Sequence, residues 1–154
     1  GFDVHQLNTG RRLILGGVDI PHDRGLEGHS DADVLTHAVM DSLLGALAMG
    51  DIGDHFPDSD LKFHGADSLF LLRQVWAMIE KEGYVINNLD NVLIAQKPRL
   101  KPFLNKMREN LAICIGCEMT QVSVKATTTE NLGFAGREEG IAAKSFVLLQ
   151  KSNS

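Results

Sequence analysis

Cysteine is scarce in this chain, with two in 154 residues, both inside "CIGC" at Cys114–Cys117. No second CxxC or Cys/His pair accompanies them, which excludes a closed structural zinc site. No strand leads into them as a thioredoxin-like motif requires. They read as two thiols at a helix end, Cys114 acting as apolar filler in a reducing compartment. Long hydrophobic runs are also missing: nothing approaches the ~20 apolar residues of a membrane span, and no charged-then-apolar signal segment is seen. Positive charge is not in excess. A net charge of -5 argues against a nucleic-acid partner and against a polybasic membrane contact. An initiator Met is lacking, so residues ahead of Gly1 are expected to complete the first strand or carry a targeting peptide. Repeats and linkers are absent. What remains is 44% hydrophobic, enough for one compact domain, 1–154, with a real core.

Periodicity places the elements. "RRLILGGVDIPHDRG" (11–25) reads as two short strands broken at Gly16-Gly17 and closed by a Pro/Asp/Gly turn. Residues 30–49 read as a helix capped by Ser30, with Asp33 three later as in a capping box. "GDIGDHFPDSD" (50–60) has no period and reads as loop. A second helix is expected from Asp67 to Glu82, ending at Gly83, and a strand over 84–96 kinked at its Asn pair. A third helix starts near Pro102 and stops at Gly116. Strands follow at 121–127 and 141–150. The order implies an α+β fold: a mixed four-stranded sheet with helices on one face plus a small β-hairpin. Ile141, Phe146, Val147, Leu148 and Leu149 are more apolar than a wet sheet face needs, which points to an oligomer.

Chemistry concentrates first at "GFDVHQL". On a strand, Asp3 and His5 point to the same face, roughly 6–7 Å apart at Cα, so both can reach one ion. Taken alone, the two residues favour a surface Asp and a surface His near a frayed end, because both types are usually exposed. His37, two turns into the first helix, is the third candidate ligand. Two nitrogens and one oxygen suit zinc, with a fourth position left open. Asp33, His37 and Asp41 also form an i, i+4 polar stripe, which a solvated helix face would explain. On the metal reading, Asp41 orients His37.

The segments "GFDVH", "GHSDADVLTHAVMDSLLGALAMGDIGDHFPDSD", "GADS", "KATTTENLGF" and "GREEGIA" resemble the 2-C-methyl-D-erythritol 2,4-cyclodiphosphate synthases of bacteria and plastids. The resemblance runs in order through nearly the whole chain. It implies a homotrimer with its sheets facing the three-fold axis and active sites between subunits. It implies conversion of 4-diphosphocytidyl-2-C-methyl-D-erythritol 2-phosphate into the cyclic diphosphate and CMP, in a bacterial cytoplasm or in a plastid if a transit peptide has been removed. Asp3, His5 and His37 would then bind Zn2+, Asp3 and His5 also touching substrate. His29 and Ser30 would contact phosphate, with His29 and Thr128 stabilising the transition state. Asp51, Ile52, Gly53, Phe56 and Asp58 would take the erythritol part.

The same resemblance assigns the cytidine end. Ala95, Pro98, Arg99, Leu100 and Lys101 would form the base pocket, largely through backbone. Ala126, Thr127, Thr128 and Thr129 would border the phosphates, and Glu130 would hold Mg2+ or Mn2+. Phe134 and Arg137 would line the substrate side. Arg99 and Leu100 stand where the family often has Lys and Met or Ile, and the family's "IGH" does not precede Gly1.

The reaction itself asks for such parts. A phosphate monoester attacks a diphosphate phosphorus, anion upon anion, so charge neutralisation and in-line positioning dominate. Two rivals stand beside this reading. An HD-type metal phosphohydrolase would use His22-Asp23, although that pair falls in a turn. A zinc-stabilised trimeric module would bind cytidine nucleotides without turnover.

Overall fold

The computed structural model describes residues 1–153. Strand β1 (Phe2–Asn8) is followed by a hairpin, β2 (Leu13–Leu15) and β3 (Val18–Ile20), and by the short β4 (Gly25–Leu26). Helices α1 (Val34–Ala46), α2 (Ile52–His55) and α3 (Ser68–Lys81) come next, then β5 (Tyr84–Ile94). Helix α4 (Leu104–Ile115), β6 (Val122–Thr127), the single-turn α5 (Gly133–Gly136) and β7 (Gly140–Lys151) complete the chain.

The sheet is five-stranded, not four-stranded, in the order β4-β1-β7-β5-β6, with β2-β3 as a separate hairpin. The extra member is β4, whose two residues pair antiparallel with Leu7 and Asn8. Two residues are too few to show an alternation. Only β5 and β6 run parallel, joined through α4 as a crossover demands. The expected kink at the Asn pair is a register shift between Ile86 and Asn88.

Helices α1, α3 and α4 cover one sheet face. Val122 and Val124 turn toward them, whereas Ala126 is exposed. On β7 the alternation divides the apolar run: Ile141 is buried and Val147 and Leu149 pack on the core. Phe146 and Leu148 point away from the helices, as do Phe2 and Val4 on β1, and these four are 44–62% exposed.

Helix α1 starts later than its sequence suggests. Asp33 is the N-cap, accepting the Thr36 N–H, so Ser30 lies in the lead-in and caps nothing. The Asp33 carboxylate also accepts the Gly16 and Gly17 N–H groups at 2.9 and 2.8 Å, pinning the hairpin turn to the helix start. Both glycines have positive φ, 56° and 74°, the conformation that aims those N–H groups together. Nearly every α1 side chain is buried, Asp33 fully and His37 at 7% exposure. Asp33 and His37 are therefore interior polar groups and Asp41 is half-buried, so the stripe is not a solvated face.

Residues 50–60 also hold more order than the absence of a period implies. Asp51 and Asp54 close a reciprocal capping box around α2. The two carboxylates stand in for the usual Ser/Thr and Glu, and a four-residue helix is too short to show periodicity.

Candidate active site

Strand β1 projects Asp3 and His5 onto the helix-covered face, and α1 presents His37 to them. Asp3 Oδ2 lies 3.0 Å from His5 Nε2 and 3.1 Å from His37 Nδ1. The two imidazole nitrogens are 3.3 Å apart. Among the described residues this is the one group of three His, Cys, Asp or Glu side chains able to share a metal ion. Burial works to raise the Asp3 pKa, but the His37 and His5 imidazoles beside it overcome that and bring the carboxyl down to about 2. Burial works to lower that of His5, and Asp3 outweighs it, so the imidazole is raised.

The two rings are held from behind. His5 Nδ1 donates to the Glu27 carbonyl at 2.6 Å, which leaves Nε2 facing the triad. Gly28 lets the loop pass this ring: a Cβ there would sit 3.0 Å from His5 Cε1. His37 Nε2 lies 3.0 Å from both Ser30 Oγ and Ser68 Oγ. Asp41 makes no hydrogen bond or ion pair with His37; its Oδ1 accepts the Ile52 N–H at 2.8 Å. The orienting group expected from helical spacing is thus replaced by two serines, Ser30 from the lead-in to α1 and Ser68 from the first turn of α3.

The triad floors a cleft of about 370 Å³ that also includes His29, Ser30, Ile52, Gly53, Phe56 and Asp58. His29 stands at the mouth, largely exposed, with Nε2 3.9 Å from Asp58. The Phe56 and Phe63 rings meet edge to face at 5.2 Å and form an apolar wall. Asp51 caps α2 beneath it.

The YgbB family model matches residues 1–150. The chain belongs to that family. It is 60% identical over 151 residues to the 2-C-methyl-D-erythritol 2,4-cyclodiphosphate synthases of Geobacillus sp. (strain WCH70) and of Geobacter metallireducens, covering 98% of this chain and 96% of each relative. Among solved structures, the bifunctional IspDF of Campylobacter jejuni superposes with a TM-score of 0.94 at 45% identity, covering 98% of this chain and 41% of that one. A CDP complex of IspF from Plasmodium falciparum gives 0.87 at 33%, covering 99% and 94%.

The other residues expected from YgbB family resemblance gather elsewhere on the chain. A second hollow of about 570 Å³ is lined by Ala95, Pro98, Arg99, Leu100 and Lys101 facing Ala126, Thr127 and Thr128. The Lys97–Pro98 peptide in this wall is cis. Thr128 Oγ1 accepts the Glu130 N–H at 3.2 Å, and Glu130 is exposed with φ of 54°. Thr129 and Phe134 border a third, apolar hollow with Phe2 and Leu132. Arg137 is forked onto Glu139, its Nε and Nη2 at 3.0 and 2.9 Å.

Sequence reasoning passed over His22 as a lining residue, although it borders the second hollow. It lies in the turn after β3 with Nε2 3.4 Å from Asp23, remote from any metal cluster. Gly28 and Ser68, though inside the quoted segments "GHSDAD" and "GADS", were given no role. No spacing ties either one to a ligand, and their roles appear only once the segments around His5 and His37 come together.

Proposed function

We propose that the chain runs the family's cyclisation at a site shared between two neighbouring copies, the metal triad of one facing the nucleotide hollow of the next. The activity converts 4-diphosphocytidyl-2-C-methyl-D-erythritol 2-phosphate into 2-C-methyl-D-erythritol 2,4-cyclodiphosphate and CMP. The observation that carries the reading is the convergence of Asp3, His5 and His37 inside a cleft that also offers His29 and Ser30.

The donor set of two imidazoles and one carboxylate fits zinc, with a fourth position open to a phosphate oxygen. Zinc held there supplies positive charge against the crowded phosphates. His29 and Ser30 contact those phosphates from the cleft mouth, and the Asp51–Asp58 loop takes the polyol. At the other end, the backbone from Ala95 to Lys101 receives the cytosine. The Thr128 oxygen already accepts from Glu130, so its proton is free to donate to phosphate as charge develops. Glu130 offers a hard oxygen to magnesium or manganese. Phe134 and Arg137 complete the substrate side. The substrate provides its own nucleophile: a 2-phosphate oxygen bonds to the β-phosphorus, the α–β bridge breaks, and CMP leaves with the bridging oxygen.

Three features support the shared site. The metal cleft and the nucleotide hollow are lined by separate sets of residues in one chain. The sheet face bearing Phe2, Val4, Phe146 and Leu148 is exposed and apolar, suited to burial around a three-fold axis. The Plasmodium falciparum relative is a CDP complex, and the second hollow, bordered by Ala95 to Lys101 and by Thr127 and Thr128, is where we seat such a nucleotide in this chain. A bacterial cytoplasm is the compartment we assign to this activity, a reading in keeping with the bacterial source of the relatives.

The test is phosphorus NMR of the product formed with zinc and magnesium present. Signals of a cyclic diphosphate together with CMP, without orthophosphate, are expected. Released orthophosphate would instead indicate a phosphohydrolase, and bound but unchanged substrate a non-catalytic module. Mixing an Asp3→Ala chain with a Glu130→Gln chain should restore activity in hybrid trimers. An active monomer would refute the shared site.

A further inference from the structure

Asp31 and Ser68 belong to neither hollow's expected ligand set, yet both lie directly behind the metal triad. Ser68 opens α3 and is fully buried, and Asp31 lies in the lead-in to α1. Asp31 Oδ2 accepts the Ser68 N–H at 3.0 Å. Its Oδ1 accepts the Asp33 N–H at 3.1 Å and makes a close contact with Ser68 Oγ.

The direction of that last bond follows from donor arithmetic. A carboxylate has no proton to give, so the single hydroxyl proton of Ser68 points at Asp31. What Ser68 Oγ then turns toward His37 Nε2, 3.0 Å away, is lone pairs. A neutral imidazole carries its proton on one nitrogen only. The relay therefore holds that proton on Nε2 and leaves Nδ1 bare, 3.1 Å from Asp3 Oδ2 and 3.3 Å from His5 Nε2. His5 is set the opposite way, with Nδ1 engaged by the Glu27 carbonyl. The two rings present different nitrogens to one point, and each needs its own backing group to do so.

We propose that Asp31 and Ser68 are positioning residues that fix the His37 tautomer, so that Nδ1 faces the ion position as a ready lone pair. The proposal rests on the reading of Asp3, His5 and His37 as a zinc site. Ser30 Oγ, also 3.0 Å from His37 Nε2, accepts the Ala32 N–H but has no carboxylate to orient its proton. It tolerates either tautomer; Ser68 does not. The same Asp31 joins the α1 lead-in to the start of α3, with its N–H donating to Ala66 O at 3.1 Å. The loop bearing His29 and Ser30 and the orienting hydroxyl are therefore tied together.

Zinc affinity by chelator competition tests this, in the wild-type chain, Ser68→Ala, Asp31→Asn and Ser68→Thr, with His37→Ala as the control. Asparagine has one acceptor oxygen where three donors converge, so Asp31→Asn cannot preserve the arrangement. Both Ser68→Ala and Asp31→Asn should weaken zinc binding by roughly 10–100-fold while circular dichroism shows an intact fold. Ser68→Thr, which keeps the hydroxyl, should recover most of that loss. In nitrogen-labelled zinc-loaded protein, the His37 Nε2–H should give a slowly exchanging proton signal that Ser68→Ala abolishes. Zinc bound as tightly by a folded Ser68→Ala or Asp31→Asn chain as by wild type overturns the proposal. A wild-type chain that binds no zinc, or a His37→Ala chain that binds it fully, overturns the metal site itself.

Discussion

The Asp41 carboxylate holds the backbone N–H of Ile52 at 2.8 Å, so the last member of the Asp33–His37–Asp41 stripe serves the loop over the cleft and not the metal triad. Burial raises the Asp41 pKa above the usual carboxylate value, and the Ile52 bond opposes that rise. An ionic hydrogen bond of this kind contributes about 1.5–3 kcal/mol. Asp41→Ala should therefore speed amide exchange at Ile52 about tenfold or more and raise KM, with zinc content unchanged. Loss of zinc from this variant would show that Asp41 supports the triad after all.

Gly28 is expected to be irreplaceable for metal binding though not for folding. A methyl group there would stand 3.0 Å from His5 Cε1 and 3.2 Å from Nδ1, so the ring must tilt off its bond to Glu27. Gly28→Ala should weaken zinc binding about tenfold with a melting temperature close to wild type. Chelator competition and a thermal melt, run together, check both halves of the statement.

Thr128→Ala should lower kcat more than it raises KM, because its hydroxyl proton is proposed to act as charge develops at phosphorus. Removing one such donor costs about 2–4 kcal/mol, a loss on the order of a hundredfold in rate. Steady-state kinetics with saturating metals decide it. A change confined to KM would place Thr128 in ground-state binding only.

The metal-free protein should show a pH window set by Asp3 and His5. The Asp3 carboxyl, brought down to about 2, stabilises the fold fully above its unfolded value near ~4 and loses this contribution as pH falls toward 2. His5 is raised, so its contribution is full below its unfolded value near ~6.5 and is lost as pH rises through the folded one. The melting-temperature gap between metal-free wild type and metal-free His5→Gln should be widest between about pH 4 and 6.5. A gap that does not change with pH would show that the pair is not ionic.

The sequence by itself determined most of the local order. Apolar periodicity marked α3 and α4, Gly116 with φ of 71° ended α4 where a left-handed residue was needed, and Gly16-Gly17 marked the hairpin turn. Long motifs fixed the family, and period-2 geometry placed Asp3 and His5 on one face. These are short-range properties, set by backbone sterics and the repeat of each element. Tertiary structure decided which buried polar group answers which. Helical spacing pointed from His37 to Asp41, yet the partners are Ser68 and, behind it, Asp31, brought together by the packing of α3 against α1. The two residues of β4 became a strand only because the β1 edge offered unpaired hydrogen-bonding groups. Asp33 became the lock between helix and hairpin because four donors, from Gly16, Gly17 and Thr36, met its carboxylate in the core. Such choices follow from the cost of leaving a buried donor or acceptor unpaired, and that cost is set by neighbours far away along the chain.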